Sequence, residues 1–463
     1  MQPKPNTPSN NKPRRKKKVA DSRPNWEADH LFLGWKDTVP SQQSVGFHAA
    51  SSPVADEEPI EPIVYTGDGH LMTVAPTGAG KGVGVIIPTL LTYPGSIIAV
   101  DIKGELAQVT ARRRREMGQK VVILDPFGLA SDAKDGLNPF DLFDLPKGDP
   151  ESDAEMLAAQ FGADHSFSTD RYWDDTGRGL MAGLIAHTAT TSPESERNPT
   201  GLRRLLYHDD LDYTIATWLD RKEVTNQLAR DEFVSYLSAP SDKTRPCIRS
   251  TACTYVKCLG SQPIAKVLEK SSFDLKTLLN GDPITIYLVL PPEKLESHKA
   301  VLRAWIITLL TTVLRRETIP DLRTLFIVDE AAQLGNMPLL KTAITLLRGY
   351  GLQVWTFWQD VGQIRTLYPN DWTTMIANAA VLQLFGVPRH GGTRGAWQEV
   401  LGDDVKEITK LVAGEMLLSF ADSGISHHRR ANYLTDSIFD GLYDPNKRFA
   451  RKVGSSSGSS PSI

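Results

Sequence analysis

The residues best suited to chemistry lie in two short runs, far apart in the chain. The first is Pro76-Thr77-Gly78-Ala79-Gly80-Lys81-Gly82, which follows the apolar run Leu71–Ala75 and precedes the helix-like Val83-Gly84-Val85-Ile86-Ile87. A strand, a glycine-rich turn and a helix start together make a phosphate grip. Gly78 and Gly80 let backbone N–H groups come close, the helix N-terminus adds its dipole, and Lys81 supplies a point charge. Thr77 to Val83 are therefore the candidate nucleotide-binding residues. Against the pattern GxxxxGK[ST], Ala75 stands where the first glycine is expected and Gly82 where the metal-binding hydroxyl is expected. The competing reading of the run on its own, the weaker of the two, is a glycine-rich loop with an exposed lysine.

The second run, Thr324-Leu-Phe-Ile-Val-Asp-Glu330, is a buried-strand pattern ending in two acids. Carboxylates at the carboxyl end of a parallel strand face the ligand crevice. Asp329 could hold Mg2+ through its water shell and Glu330 could polarise an attacking water. The competing reading is two surface acids capping the next helix. Taken together, the two runs favour ATP with Mg2+ as ligands and ATP hydrolysis as the reaction.

Those residues need a sheet to position them. Strand candidates are Leu71–Ala75, Ser96–Val100, Lys120–Leu124, Ile284–Leu290, Leu325–Val328, Leu352–Phe357 and Val381–Phe385, with helices between them, near 81–92 and 105–117 at the start. This alternation predicts an α/β fold with a mostly parallel sheet covered on both faces. After Pro150 the alternation stops, and 151–280 shows helical spacing only. The expected organisation is a basic disordered arm (1–28), the first part of a nucleotide-binding domain (29–148), an all-helical insertion (149–282), its second part (283–450) and a flexible tail (451–463).

Charge excludes some functions. The net charge is −3, but residues 1–25 carry eight Lys or Arg against one acid, so the rest of the chain sums to −10. An acidic body is not a DNA-coating surface, and nucleic acid must be met locally, in a channel or by the arm. Three cysteines, Cys247, Cys253 and Cys258, form neither a secreted disulfide framework nor a CxxC zinc pattern. The best apolar stretch, 304–314, is too short to cross a bilayer, and no signal peptide is visible. These features predict a cytoplasmic chain with no transmembrane segment of its own.

The blocks around both motifs carry a resemblance. Ala75-Pro-Thr-Gly-Ala-Gly-Lys-Gly-Val-Gly-Val-Ile-Ile-Pro88, Asp101-Ile-Lys-Gly-Glu105, Trp173-Asp-Asp-Thr-Gly-Arg-Gly-Leu180, Ile286-Tyr-Leu-Val-Leu-Pro-Pro292, Asp329-Glu-Ala-Ala-Gln-Leu-Gly335, Arg348-Gly-Tyr-Gly351 and Trp358-Gln-Asp360 occur in the order of the TraG-like type IV coupling proteins of conjugative DNA transfer. The chain resembles that family over about residues 65–390. The resemblance implies a RecA-like P-loop NTPase interrupted by an all-helical domain, assembled as a homo-hexamer. Such motors hand DNA, single-stranded by expectation, with its relaxase to a type IV secretion channel. By carry-over Lys81 matches the phosphate-binding lysine, Asp329 and Glu330 the metal and water-activating pair, and Gln359 a sensing glutamine. Arg348 matches the arginine that reaches a neighbouring subunit's nucleotide; read from the sequence alone, it is a solvated helix-end arginine.

Family members usually begin with a transmembrane hairpin. Its absence after Met1 leads to the expectation of a member tethered to the inner face of the membrane through a channel or anchor partner. The rival function is a non-translocating cargo receptor whose nucleotide binding controls assembly. Asp101, Lys103 and Glu105 face the same crevice with open roles. Arg112–Arg115 reads first as a dipole-complementing helix end, and the loop 388–395 as surface, a nucleotide edge or a channel lining.

Overall fold

In the computed structural model, residues 30–36, 61–132, 134–162, 171–386, 394–421 and 423–447 are described. The arm 1–28, the tail 451–463 and positions 388–393 of the basic loop lie outside them. The strands are β1 (Leu31–Lys36), β2 (Pro62–Tyr65), β3 (His70–Val74), β4 (Ile97–Asp101), β5 (Lys120–Leu124), β6 (Ile284–Val289), β7 (Thr324–Val328), β8 (Leu352–Trp358), β9 (Ala379–Leu384), β10 (Glu415–Phe420) and β11 (Ser423–Arg429). They form one sheet in the order β2-β1-β11-β10-β9-β3-β8-β7-β4-β6-β5.

Pairing from β9 through to β5 is parallel, whereas β10, β11, β1 and β2 extend the sheet by antiparallel pairing. The seven parallel strands are the apolar runs named above, with ends differing by a residue or two. Strands β3, β4, β6, β7 and β8 are buried along their whole length, as a parallel sheet covered on both faces requires. The antiparallel extension was not anticipated from the sequence. Its β2 has four residues, and β11 is Ser-Gly-Ile-Ser-His-His-Arg, with no alternating apolar face.

One face carries a π-helical turn, Gly82–Ile86, running into α1 (Ile87–Thr92), together with α2 (Glu105–Glu116). The other is covered by the 23-residue helix Pro292–Leu314. Between β5 and β6 the described residues form eight α-helices, from Pro150–Gly162 to Leu275–Asn280, and no strand. Their apolar side chains, among them Leu157, Leu184 and Phe233, belong to the same buried cluster as Val100 of β4, Val328 of β7 and Trp305 of the long helix. Polar fastenings reinforce that junction. Trp305 Nε1 donates to the Leu137 carbonyl at 3.0 Å, and Arg315 donates to the Leu142 carbonyl at 2.8 Å and pairs with the buried Asp153. The helical stretch therefore shares a continuous core with the sheet instead of hanging from a linker.

Candidate nucleotide site

A parallel sheet aims all its strand exits at one edge, and the chain uses that edge. Lys81 follows β3, Asp329 and Glu330 follow β7, and Gln359 follows β8, the strand that lies between them. Lys81 Nζ stands 2.6 Å from Glu330 Oε1 and 3.1 Å from Asp329 Oδ1, and all three side chains are nearly buried. Gln359 donates from Nε2 to Glu330 Oε2 at 2.8 Å, while its Oε1 accepts from Thr77 Oγ1 at 3.1 Å. One chain of contacts thus joins the phosphate loop to the acidic strand end. Lys103, at the exit of β4, places its ammonium 3.8 Å from Glu330 Oε1 and so adds a second cation to the cluster.

Backbone shape sets these positions. Gly78 and Gly80 have φ of +79° and +85°, which side-chain-bearing residues rarely adopt, and the loop closes through Gly84 N–H to the Gly80 carbonyl at 2.7 Å. Gly82 needs no such freedom: its φ is ordinary and a Cβ there would meet nothing within 4 Å. Glu330 is one of three non-glycine residues with positive φ among the described residues, at +53°. Holding a glutamate in the left-handed region costs energy, and such strain concentrates at functional sites. The strain turns Glu330 back toward Lys81 and Gln359, a feature no local sequence signal announces.

Burial and charge divide the two acids. Burial pushes the Asp329 carboxyl above its usual range, with Lys81 only partly offsetting it and Glu330 adding repulsion. Glu330 is also raised by burial, but the Lys81 contact, the Gln359 hydrogen bond and Lys103 outweigh that and hold it below the usual glutamate range. Of the two, Glu330 is the carboxylate whose surroundings favour the ionised form.

Asp101, fully buried at the end of β4, accepts from Ala107 N–H at 2.9 Å and so starts α2. Glu105 accepts from Asn446 at 2.8 Å. Of the Asp101-Lys103-Glu105 trio, only Lys103 reaches the lysine–carboxylate cluster by a close contact. Within Arg112–Arg115, Arg114 is completely buried and donates to the Gly95 carbonyl at 2.6 Å and to Thr285 at 2.9 Å. Arg112 is engaged with Asp444 and Glu116, so these two arginines hold the fold together. Trp355 and Trp358 are fully buried, and each indole N–H is bound to a threonine hydroxyl.

Arg348 stands apart. It lies in a 3-10 turn just before β8, at the amino ends of the strands, and its side chain is 61% exposed. Seven residues of β8 separate that turn from Gln359, about 20 Å of strand. Its partner is Asp68, in the β2–β3 turn, with Arg323 behind it. The structure does not bring Arg348 to this subunit's own cluster.

The donors present suit a divalent ion held mainly by its own water. Asp329 Oδ1 is buried without a hydrogen-bond partner beyond its ion pair, and it faces the phosphate loop. Among the described residues no group of three or more His, Cys, Asp or Glu side chains is arranged to hold a metal by itself.

Residues 43–411 match the family described as type IV secretory system conjugative DNA transfer. This chain belongs to that family. Among coupling-protein relatives, it is 26% identical over 319 residues to the conjugal transfer protein TraG of Escherichia coli, covering 65% of this chain and 50% of TraG. It is 26% identical over 309 residues to the type IV secretion system-coupling protein VirD4 of Bartonella quintana, covering 64% of this chain and 47% of VirD4. The chain thus spans about half the length of these relatives.

The plasmid coupling protein TrwB, solved with the non-hydrolysable GTP analogue GDPNP and also with ADP and Mg2+, shares the fold. For the GDPNP complex the TM-score is 0.60 at 18% identity, over 78% of this chain and 85% of that one. The RecA-like P-loop architecture expected from the family is therefore the architecture found. Among the described residues no helix of this family member is long and apolar enough to cross a membrane.

Sequence reasoning missed Arg430. It follows β11 and donates to the Ala79 carbonyl of the phosphate loop. The only signal was a pair of arginines after two histidines near the C-terminus. His427 itself pairs with Glu407 at 3.0 Å.

Proposed function

We propose that this coupling-family chain binds ATP at the Thr77–Val83 loop, hydrolyses it, and uses the cycle to move DNA or a relaxase–DNA complex toward a type IV secretion channel. The observation that carries the reading is the contact chain Lys81–Glu330–Gln359–Thr77, which places a cation, an ionised carboxylate and a sensing amide around one phosphate loop. Relatives that are conjugal transfer proteins support the reading, as do the nucleotide complexes of TrwB.

Each residue has a task in this reading. Lys81 exchanges its carboxylate partners for the β- and γ-phosphates and neutralises their charge. That exchange frees Glu330, which Gln359 holds in place, to accept a proton from the attacking water. Gln359, bonded to both Glu330 and Thr77, detects whether the phosphate loop is filled. Asp329 is the residue that would hold Mg2+ through water, and the ion when bound screens the phosphate charge. The nearby Gly82 contributes no ligand, leaving that task to Asp329.

Arg348 serves a neighbouring copy in a six-membered ring, where an arginine in trans stabilises charge developing on the transferring phosphate. Its exposure and its position at the far end of the strands support that assignment. The helices between β5 and β6, roughly residues 149–282, read the cargo, and their continuous core with the sheet transmits the cycle to it. The chain acts at the inner face of the membrane through a channel or anchor partner.

Steady-state ATPase with and without single- and double-stranded DNA, beside Lys81→Ala and Glu330→Gln, tests the reading. DNA-stimulated turnover abolished by both substitutions is the expected result. Binding without turnover in every DNA and salt condition, even with the membrane partner added, would instead indicate a docking platform.

A further inference from the structure

Two strand reversals bring a second cation to the phosphate loop. Strand β10 runs antiparallel to β9 and β11 antiparallel to β10, so β11 again points the same way as β3. Its exit therefore falls at the edge of the sheet where Ala75 leads into the phosphate loop. Two successive arginines leave there with different fates. Arg429 is committed to the fold: it pairs with Asp436 at 3.1 Å and lies 5.4 Å over the Trp35 ring.

Arg430 is not committed in that way. Its guanidinium sits 4.8 Å over the Phe385 ring and donates to the Ala79 carbonyl, while its Nε is buried with no hydrogen-bond partner. Among the described residues no carboxylate pairs with it. A partly buried guanidinium with open donors, stacked on an aromatic face beside a phosphate loop, is a preformed anion contact.

The same segment encloses space. A hollow of about 300 Å3 lies between Gly80, Val83 and Gly84 on one side and Arg430, Asn432 and Thr435 on the other. That is the low end of the range for small-ligand pockets, enough for a sugar and a base. Its walls are fastened to each other. Tyr433 N–H donates to the Val83 carbonyl at 3.3 Å, and a Cβ on Gly84 would stand 3.0 Å from the Ala431 carbonyl, so the segment rests directly on the helix that follows the loop.

We propose that Arg430 and this hollow form the nucleoside side of the chain's own nucleotide site. Arg430 donates to the phosphate–sugar region of a nucleoside di- or triphosphate, and the hollow takes its sugar and base. The C-terminal segment 429–435 thereby becomes part of the binding machinery of the same subunit, unlike Arg348. This rests on the nucleotide-binding reading above.

The test uses the full chain and equilibrium binding of a fluorescent ribose-labelled ATP, with unlabelled ATP, ADP and inorganic tripolyphosphate as competitors. Arg430→Ala should weaken ATP and ADP by about tenfold or more, the size of one lost charge-assisted hydrogen bond. Arg430→Lys should recover part of that loss. Thr435→Trp, which fills the hollow from its exposed rim, should weaken ATP and ADP but leave tripolyphosphate unchanged.

Melting curves establish that each variant is folded; should Arg430→Ala fail to fold, Arg430→Lys and Thr435→Trp decide the matter. If the Arg430 and Thr435 variants bind within twofold of wild type while Lys81→Ala abolishes binding, the inference is wrong and the nucleotide reading stands. Absence of binding by the wild-type chain overturns both.

Discussion

The carboxyl and amino ends of the same parallel strands hold two ion clusters of opposite character. At the carboxyl ends Lys81, Asp329 and Glu330 are almost buried, and the ammonium is shared between two acids. At the amino ends Arg348 and Asp68 form an exposed pair. The first cluster is only slightly exposed, so every charge in it depends on its partner, and losing one partner is costly. The second cluster is screened by solvent, and its pairing contributes at most about 1 kcal/mol. The first is a closed site that another anion must enter by exchange. The second can release its arginine at little cost, as the role proposed for Arg348 in a neighbouring subunit requires.

The largest effects should come from the closed cluster. Lys81→Ala is expected to abolish nucleotide binding, and it leaves the buried Asp329 without its ion-pair partner and Glu330 with only the more distant Lys103. It should therefore also lower stability by about 3 kcal/mol, readable by denaturant titration. Glu330→Gln should separate the two roles, retaining binding while turnover falls by about 100-fold or more. If Glu330→Gln hydrolyses ATP at the wild-type rate, Glu330 is only a structural partner of Lys81.

Arg348→Ala should behave in the opposite way. Stability and single-subunit ATP binding should be unchanged, while turnover of the assembled ring falls by about a thousandfold. Mixing Arg348→Ala with Lys81→Ala chains sharpens the contrast, because a ring containing both places some intact arginines beside intact phosphate loops. Partial recovery of turnover on mixing is expected if the arginine acts in trans, and none if Arg348 serves only to bind Asp68.

The two clusters were not equally legible in the sequence. The residues of the closed cluster sit in runs whose chemistry is local: a glycine-lysine turn after an apolar strand, and two acids ending another. Parallel strands then bring their exits together, so the pattern of alternation was enough to gather Lys81, Asp329 and Glu330 at one edge, whereas Gln359 came from the family resemblance. What sequence could not provide was conformation that depends on neighbours. The positive φ of Glu330 follows from packing, as does the selection of Lys103, out of the three charged residues expected at that crevice, as the one that reaches Glu330.

Arg430 was hidden for a different reason. It is carried to the loop by β10 and β11, and β11 is too polar to show a strand period. The partner of Arg348 was equally invisible, since Asp68 lies 280 residues away along the chain and belongs to a turn without a motif.

A smaller effect concerns pH at the edge of the closed cluster. Asp101 has no cation beside it. Burial raises its carboxyl to about 7, against backbone hydrogen bonds from Ala107 and Leu106 that favour the ion, and Asp329 adds repulsion. The folded state therefore holds a proton that the unfolded chain has already released above its ordinary value of 3.8. The stability linked to this group is complete below that value and is lost as pH rises through about 7. Asp101→Asn keeps an acceptor for Ala107 N–H and removes the titration. It should flatten the fall in melting temperature between pH 4 and 7, and an unchanged slope would show that Asp101 is ionised throughout.

The smallest effect expected is also the most diagnostic of how the phosphate loop departs from its pattern. Gly82 stands where a hydroxyl residue usually binds the metal, yet the backbone there is ordinary and a Cβ would meet nothing within 4 Å. Gly82→Ser should fold with unchanged stability. At saturating Mg2+ turnover should stay within about threefold, since one added hydroxyl contact is worth roughly the energy of a single hydrogen bond. The change should appear as a lower Mg2+ concentration for half-maximal ATPase, because serine would add a ligand at the position where the proposed function leaves the ion to Asp329 through water. If Gly82→Ser leaves the Mg2+ dependence untouched, the ion does not approach position 82, and the glycine reflects a different placement of metal in this loop. Against Gly78 and Gly80, where the same substitution would be strained by the positive φ, that result would divide the loop into glycines kept for backbone shape and one kept for another reason.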